Sequence, residues 1–116
     1  YIRSAVSPDQ LTWAMEEGVR LGEGAELLDD PVREPFPLVR GGGGVTLFYT
    51  NVAKLPTTLY TSTSLDGMNF TEAFPIGLDG AGPFVLRRSD GETLLYYDAH
   101  DESLGYHVRV ARIAFN

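Results

Sequence analysis

The chain has no cysteine, few basic residues and no apolar run approaching the roughly 20 residues that a membrane-crossing helix requires. Without cysteine there is no disulfide framework, no thiolate zinc site and no cysteine nucleophile. Nine Lys and Arg stand against 16 Asp and Glu, a formal charge of −7, and the nine are scattered. A polyanionic partner needs clustered basic side chains, so nucleic acid is not expected as a partner, and neither is a membrane. Helix-tolerant composition is confined to Trp13 through Arg20, and Gly18 breaks it. No serine elbow, phosphate loop or histidine pair at metal-ligand spacing occurs, so no cofactor is expected. The opening Tyr1-Ile2-Arg3 has neither a methionine nor a signal-like apolar segment, and reads as trimmed, processed or cut from something longer.

What is present favours short strands. The 116 residues are 43% hydrophobic, enough for a core, and include thirteen glycines, seven prolines, six tyrosines and six phenylalanines. An internal repeat organises them. Ile2 through Trp13 aligns without a gap with Leu59 through Phe70, sharing an apolar start, small hydroxyl residues and then Ser-x-Asp-x-x-x-aromatic. A second gapless pair sets Glu34-Pro35-Phe36-Pro37-Leu38 against Gly82-Pro83-Phe84-Val85-Leu86. It continues into Val45-Thr46-Leu47-Phe48-Tyr49 against Thr93-Leu94-Leu95-Tyr96-Tyr97. Two matches in the same order establish the repeat.

Each unit reads as four strands: the Pro-Phe-x-Leu run, the Leu-(Phe/Tyr)-Tyr run, a third from Leu59 to Ser64, and a fourth beginning at the aromatic after the Asp turn. Gly41 through Gly44 and Ser89-Asp90-Gly91 supply the tight hairpins. In the Asp turns, Asp9 and Asp66 accept backbone N–H groups across the loop. Trp13 and Phe70 are expected to insert between sheets, and Tyr49 and Tyr97 to be core. Asn69-Phe70-Thr71 matches a glycosylation acceptor, which its place in the turn makes coincidental. The expected fold is all-β: four-stranded antiparallel β-propeller blades, about two to three of them, in a single domain over 1–116. Residues 1–20 would be the outer strands of one blade, 34–76 a full blade, and 83–116 the inner three strands of the next. A closed propeller needs at least about four blades, so the chain would be a fragment or would close by association of copies, as a homo-oligomer such as a dimer.

The Ser-x-Asp turns resemble the Asp-box repeats of sialidases and, more closely, those of five-bladed glycoside hydrolase propellers; the aromatic falls four positions after Asp66, where a sialidase Asp box has five. The resemblance implies carbohydrate as ligand, export of the protein, and carboxylates near the start of the innermost strands. Glu34 occupies that place, with Asp30 just upstream, whereas the matching Gly82 carries no carboxylate. A pair of carboxyls flanking a sugar serves as acid and as base or nucleophile. The plainer reading makes Glu34 and Asp30 solvated loop residues.

The second candidate cluster is Asp98-Ala99-His100-Asp101, at the end of a second strand, where His100 and the acids could orient a sugar hydroxyl. A charged hairpin loop is the plainer reading there. Its counterpart, Thr50-Asn51-Val52, has no charge, so the repeat does not demand Asp98. Arg40 and Arg88, with Arg87 and Arg3, could hold a carboxylate in the sialidase manner, or pair with surface acids. Three functions follow as expectations: a glycosidase-like module with Glu34, Asp98 and Asp30 as catalytic carboxylates; a non-catalytic, lectin-like ring; or a structural remnant of a larger glycosidase-like protein.

Overall fold

The computed structural model describes residues 1–22, 32–53, 55–71 and 73–114. Asp30 lies outside them. The described residues form nine antiparallel strands and no α-helix. A short hairpin pairs β1 (Ala5–Val6) with β2 (Ala14–Met15), and Ile2 bridges to Leu21 behind it. Four strands follow in an up-and-down meander: β3 (Val32–Val39), β4 (Val45–Asn51), β5 (Thr58–Ser64) and β6 (Phe74–Asp79). A three-stranded meander closes the series with β7 (Ala81–Arg87), β8 (Thr93–Asp101) and β9 (Gly105–Ile113).

The second strand of each meander is its most buried. β4 is flanked by β3 and β5 in its own sheet and covered on both faces, so its run Thr46 through Thr50, of β-branched, leucine and aromatic side chains, is wholly buried. One core lies between the two larger sheets, where Phe48 and Leu59 meet Val85, Leu95, Tyr97 and Ala99. A second lies between the four-stranded sheet and the N-terminal hairpin, where Ile2 meets Val32, Leu47 and Tyr49. The three sheets therefore follow one another in space as they do in sequence. The backbones of the two larger sheets approach through β7, which lies across β3, β4 and β5. Arg20 ties the hairpin to the Asp66 turn by donating to the Met68 carbonyl at 3.3 Å.

The two Asp turns are built alike. Asp66 Oδ1 accepts the N–H groups of Met68 and Asn69, both at 2.8 Å, and Ser64 Oγ accepts those of Asp66 and Gly67. Asp9 Oδ1 accepts Leu11 and Thr12 N–H at 2.9 and 2.8 Å, and Ser7 Oγ accepts Asp9 and Gln10 N–H. Local side-chain acceptors shape the backbone of both loops.

Three expectations need correction. Trp13 is 61% exposed instead of inserted. Its counterpart Phe70 packs back onto the Ile2 cluster of the preceding sheet, and no described residue stands in that relation to Trp13. The last strand of the four-stranded sheet begins at Phe74, not Phe70. Thr71 Oγ1 takes the Thr63 N–H at 3.0 Å where a backbone carbonyl would stand, so the regular ladder starts only at Thr61–Phe74. Finally, Asp98 through Asp101 stand at the end of the second strand as expected, and it is the plainer reading as a hairpin loop that fails, since they belong to β8 and the turn is left to Glu102 through Leu104.

Candidate functional site

The first strands of the two larger sheets each open on an irregularity at the same repeat position. In β3 the pairing with β4 slips between Arg33 and Phe36; in β7 the pairing with β8 slips between Ala81 and Phe84. Within these bulges the aligned residues Glu34 and Gly82 have φ of +55° and +60°. Glycine adopts that conformation freely, whereas a side-chain-bearing residue is strained there by about 1–2 kcal/mol. The fold asks for left-handed backbone at both places, and at one of them the chain carries a carboxylate instead.

The bulges bring two carboxylates to one spot. Glu34 Oε2 and Asp98 Oδ2 each lie 3.4 Å from the point a Cβ on Gly82 would occupy, so the two oxygens are no further apart than twice that distance. A hydroxyl links the groups across the sheets: Thr50 Oγ1 donates to Glu34 Oε2 at 2.9 Å and accepts the Gly82 N–H at 2.9 Å. Thr50 is 1% exposed. A buried, doubly used hydroxyl of this kind orients the carboxylate it touches.

Beyond Asp98 a recess of about 150 Å³ opens between Pro56, Gly80, Asp98, His100 and Tyr106. Its back is close-packed, since a Cβ on Gly80 would collide with the Asp98 carbonyl and stand 2.7 Å from the Tyr97 ring. The rings of His100 and Tyr106 sit side by side with centroids 4.8 Å apart, tilted by 57°. The arrangement offers two carboxylates, a backbone-anchored hydroxyl and an open aromatic wall to a polyhydroxylated ligand.

The other candidates lie elsewhere. Asp101 is engaged in its own hairpin: its Oδ1 accepts from Ser103 Oγ and from the Ser103 and Leu104 N–H groups. Those bonds, the Ser103 hydroxyl first, hold its carboxyl down to about 2. Arg40 and Arg88 sit at the β3–β4 and β7–β8 turns, the end of the sheets opposite Glu34 and Asp98. Arg88 pairs with Asp90 and Glu92, each at 3.2 Å, within its own turn. Among the described residues no group of three acidic or histidine side chains is placed to hold a metal ion.

No protein-family model matches the chain, and no curated protein matches it. Among solved structures, a crystal structure of a protein of unknown function from Dyadobacter fermentans DSM 18053 is similar. It is 26% identical with a TM-score of 0.68, over 93% of this chain and 29% of that one. The chain thus spans less than a third of the length of that neighbour. The likeness carries the arrangement of the sheets and no chemistry.

Sequence reasoning passed over Thr50 and Tyr106. The alignment held the signal for Thr50, because it sets a small hydroxyl residue over Asp98 and thereby at the seam between sheets. Tyr106 gave no comparable signal, being one apolar residue in an alternating strand.

Proposed function

We propose that the chain is a section of a β-propeller, its meanders successive blades, and that it belongs to a carbohydrate-active, glycoside hydrolase-like protein. Support for the blades comes from the serial packing of the sheets in chain order and from the convergence of first strands β3 and β7. The observation that carries the chemistry is the pair Glu34 and Asp98 flanking Gly82. Their ceiling of twice 3.4 Å admits the roughly 5–5.5 Å spacing at which one carboxyl protonates the leaving oxygen and the other attacks the anomeric carbon. His100 and Tyr106 then form the wall against which a sugar face lies. Asp30 is the reserve carboxylate of this reading. Arg40, Arg88 and Asp101 have no part in it, since two lie at the far end and the third is spent on its turn.

A second reading, a lectin-like site that binds without turnover, is favoured by the openness of the recess, which two sheets alone do not enclose. One experiment separates the two. The purified chain is titrated with a panel of pyranose and furanose oligosaccharides, and release of reducing ends is followed on the same samples. The catalytic reading expects release that Glu34→Gln and Asp98→Asn each lower by at least about a hundredfold, the scale of acid–base assistance. Binding without release selects the lectin-like reading. Absence of binding to every sugar removes both.

A further inference from the structure

Two glycines flank Ala81 at the start of β7, and they stand there on different grounds. A Cβ on Gly80 would collide with the Asp98 carbonyl and lie 2.7 Å from the Tyr97 ring, so packing excludes a side chain. Nothing of the kind surrounds Gly82. The nearest atoms to a Cβ placed there, its chain neighbours aside, are Asp98 Oδ2 and Glu34 Oε2, both at an ordinary contact distance of 3.4 Å. Among the described residues no other heavy atom comes within 4 Å of that point. Packing therefore leaves room for a side chain at 82.

The backbone does not demand glycine at 82 either. Gly82 has φ of +60°, and the aligned Glu34 carries a full side chain at +55° in the equivalent bulge of β3. The repeat thus accepts a Cβ in this left-handed conformation, at the cost of some strain. What a side chain at 82 would take away is the space between two carboxylates. A ligand atom laid over Gly82 lies against both oxygens at once, at the roughly 3–3.5 Å that separates groups poised to react. Asp98 also borders the recess of about 150 Å³ that runs on to His100 and Tyr106, so gap and recess adjoin along one carboxylate. Thr50 ties the arrangement together, since its buried hydroxyl holds both the Gly82 N–H and the Glu34 carboxylate.

On the carbohydrate-active reading of Glu34 and Asp98, on which this step rests, we infer that Gly82 is a specificity-determining residue. The side chain it lacks is the seat of one sugar ring between the two carboxylates. Glycine at 82 sets how closely that ring approaches, because any side chain there holds it away from both oxygens. A glycine that only eased the bulge would set no such limit, and the two cases part on measurement.

The test sets Gly82→Ala and Gly82→Asn beside the wild-type chain. Urea unfolding ranks their stability, and titration calorimetry with the panel of pyranose and furanose oligosaccharides ranks their binding. Alanine adds the least bulk, whereas asparagine adds more but enters left-handed backbone with less strain. Both variants are expected to fold, and to bind any sugar that the wild type binds at least about tenfold more weakly, the scale of one extra carbon in a fitted pocket. The two are expected to fall in opposite orders, with asparagine the more stable variant and the weaker binder. Unchanged binding in either folded variant overturns the inference and leaves the carbohydrate reading standing. So does binding that follows stability, with alanine the weaker binder, because backbone strain then accounts for both. Failure of both variants to fold overturns it as well, since glycine is then a requirement of the bulge. A wild-type chain that binds no sugar of the panel removes the carbohydrate reading, and this inference with it.

Discussion

The two larger sheets share a scaffold and exchange their chemistry. In the first, the opening strand carries the carboxylate, Glu34, and the second strand a hydroxyl, Thr50. In the second, the opening strand carries Gly82 and the second strand the carboxylate, Asp98. The backbone is the same at both places, with a bulge and left-handed φ, so the fold is indifferent to where the acid sits. Similar backbone with different side chains separates what the repeat requires from what it merely permits. The N-terminal hairpin repeats the lesson, since Gln10 at φ +65° aligns with Gly67 at +76°. Left-handed backbone at a non-glycine residue is thus a property of the repeat in this chain, and Glu34 is distinguished by its partners and not by its strain.

The sharpest break in the comparison is at Thr50. Thr50→Val keeps the shape but leaves the Gly82 N–H without its acceptor and Glu34 without its donor. A buried donor stripped of its partner costs about 1–3 kcal/mol. Urea unfolding is expected to show a loss of that size. Asp98→Asn changes a partly open residue that lacks this bridging role, and is expected to leave the midpoint nearly unchanged. Equal losses at the two positions would mean that Asp98 is as much a structural part of its sheet as Thr50 is.

How much of this was legible follows from the same residues. The alternation and hairpin glycines gave strand order, and the gapless alignment gave the turns of Asp9 and Asp66 with their hydrogen bonds, because those networks are local. Trp13 was misread because whether an aromatic is buried depends on what stands opposite, and the turn motif specifies only its own loop. Glu34 and Asp98 were recognised separately as candidates. Their meeting at Gly82 needed the packing angle between two sheets, which no spacing along the chain encodes. Arg40 and Arg88 were grouped with them for their charge, although strand direction already set them at the opposite end of each first strand.

A smaller effect tests the conformation of Glu34 against its chemistry. Glu34→Ala keeps a Cβ in left-handed backbone and loses the bond to Thr50; Glu34→Gly loses the same bond but relieves the backbone. The glycine variant is expected to be more stable than the alanine variant by about 1–2 kcal/mol in the same urea titration. Both lack the carboxylate, so both should be equally impaired in any sugar turnover. Equal stability of the two would mean that the left-handed conformation belongs to the glutamate and not to the repeat.

The weakest expected effect distinguishes the Asp turns from the site. Backbone N–H donors, Asn69 and Met68 at Asp66 and Thr12 and Leu11 at Asp9, hold both carboxyls below the ordinary 3.8. Asp101 is held down to about 2, with the Ser103 hydroxyl as the leading cause. A carboxyl whose folded value is depressed stabilises the fold fully above its unfolded value, and that contribution is lost as pH falls through the folded one. Stability should therefore be insensitive to these three groups above about pH 5 and decline progressively below pH 3.8. All three are solvent-facing, so each slope is shallow. Asp66→Asn, which keeps an acceptor oxygen but cannot ionise, should flatten the decline in thermal unfolding measured between pH 2 and 5. An unchanged slope in that variant would assign the acid sensitivity to the other two depressed carboxyls, with Asp101 and then Asp9 the next to substitute.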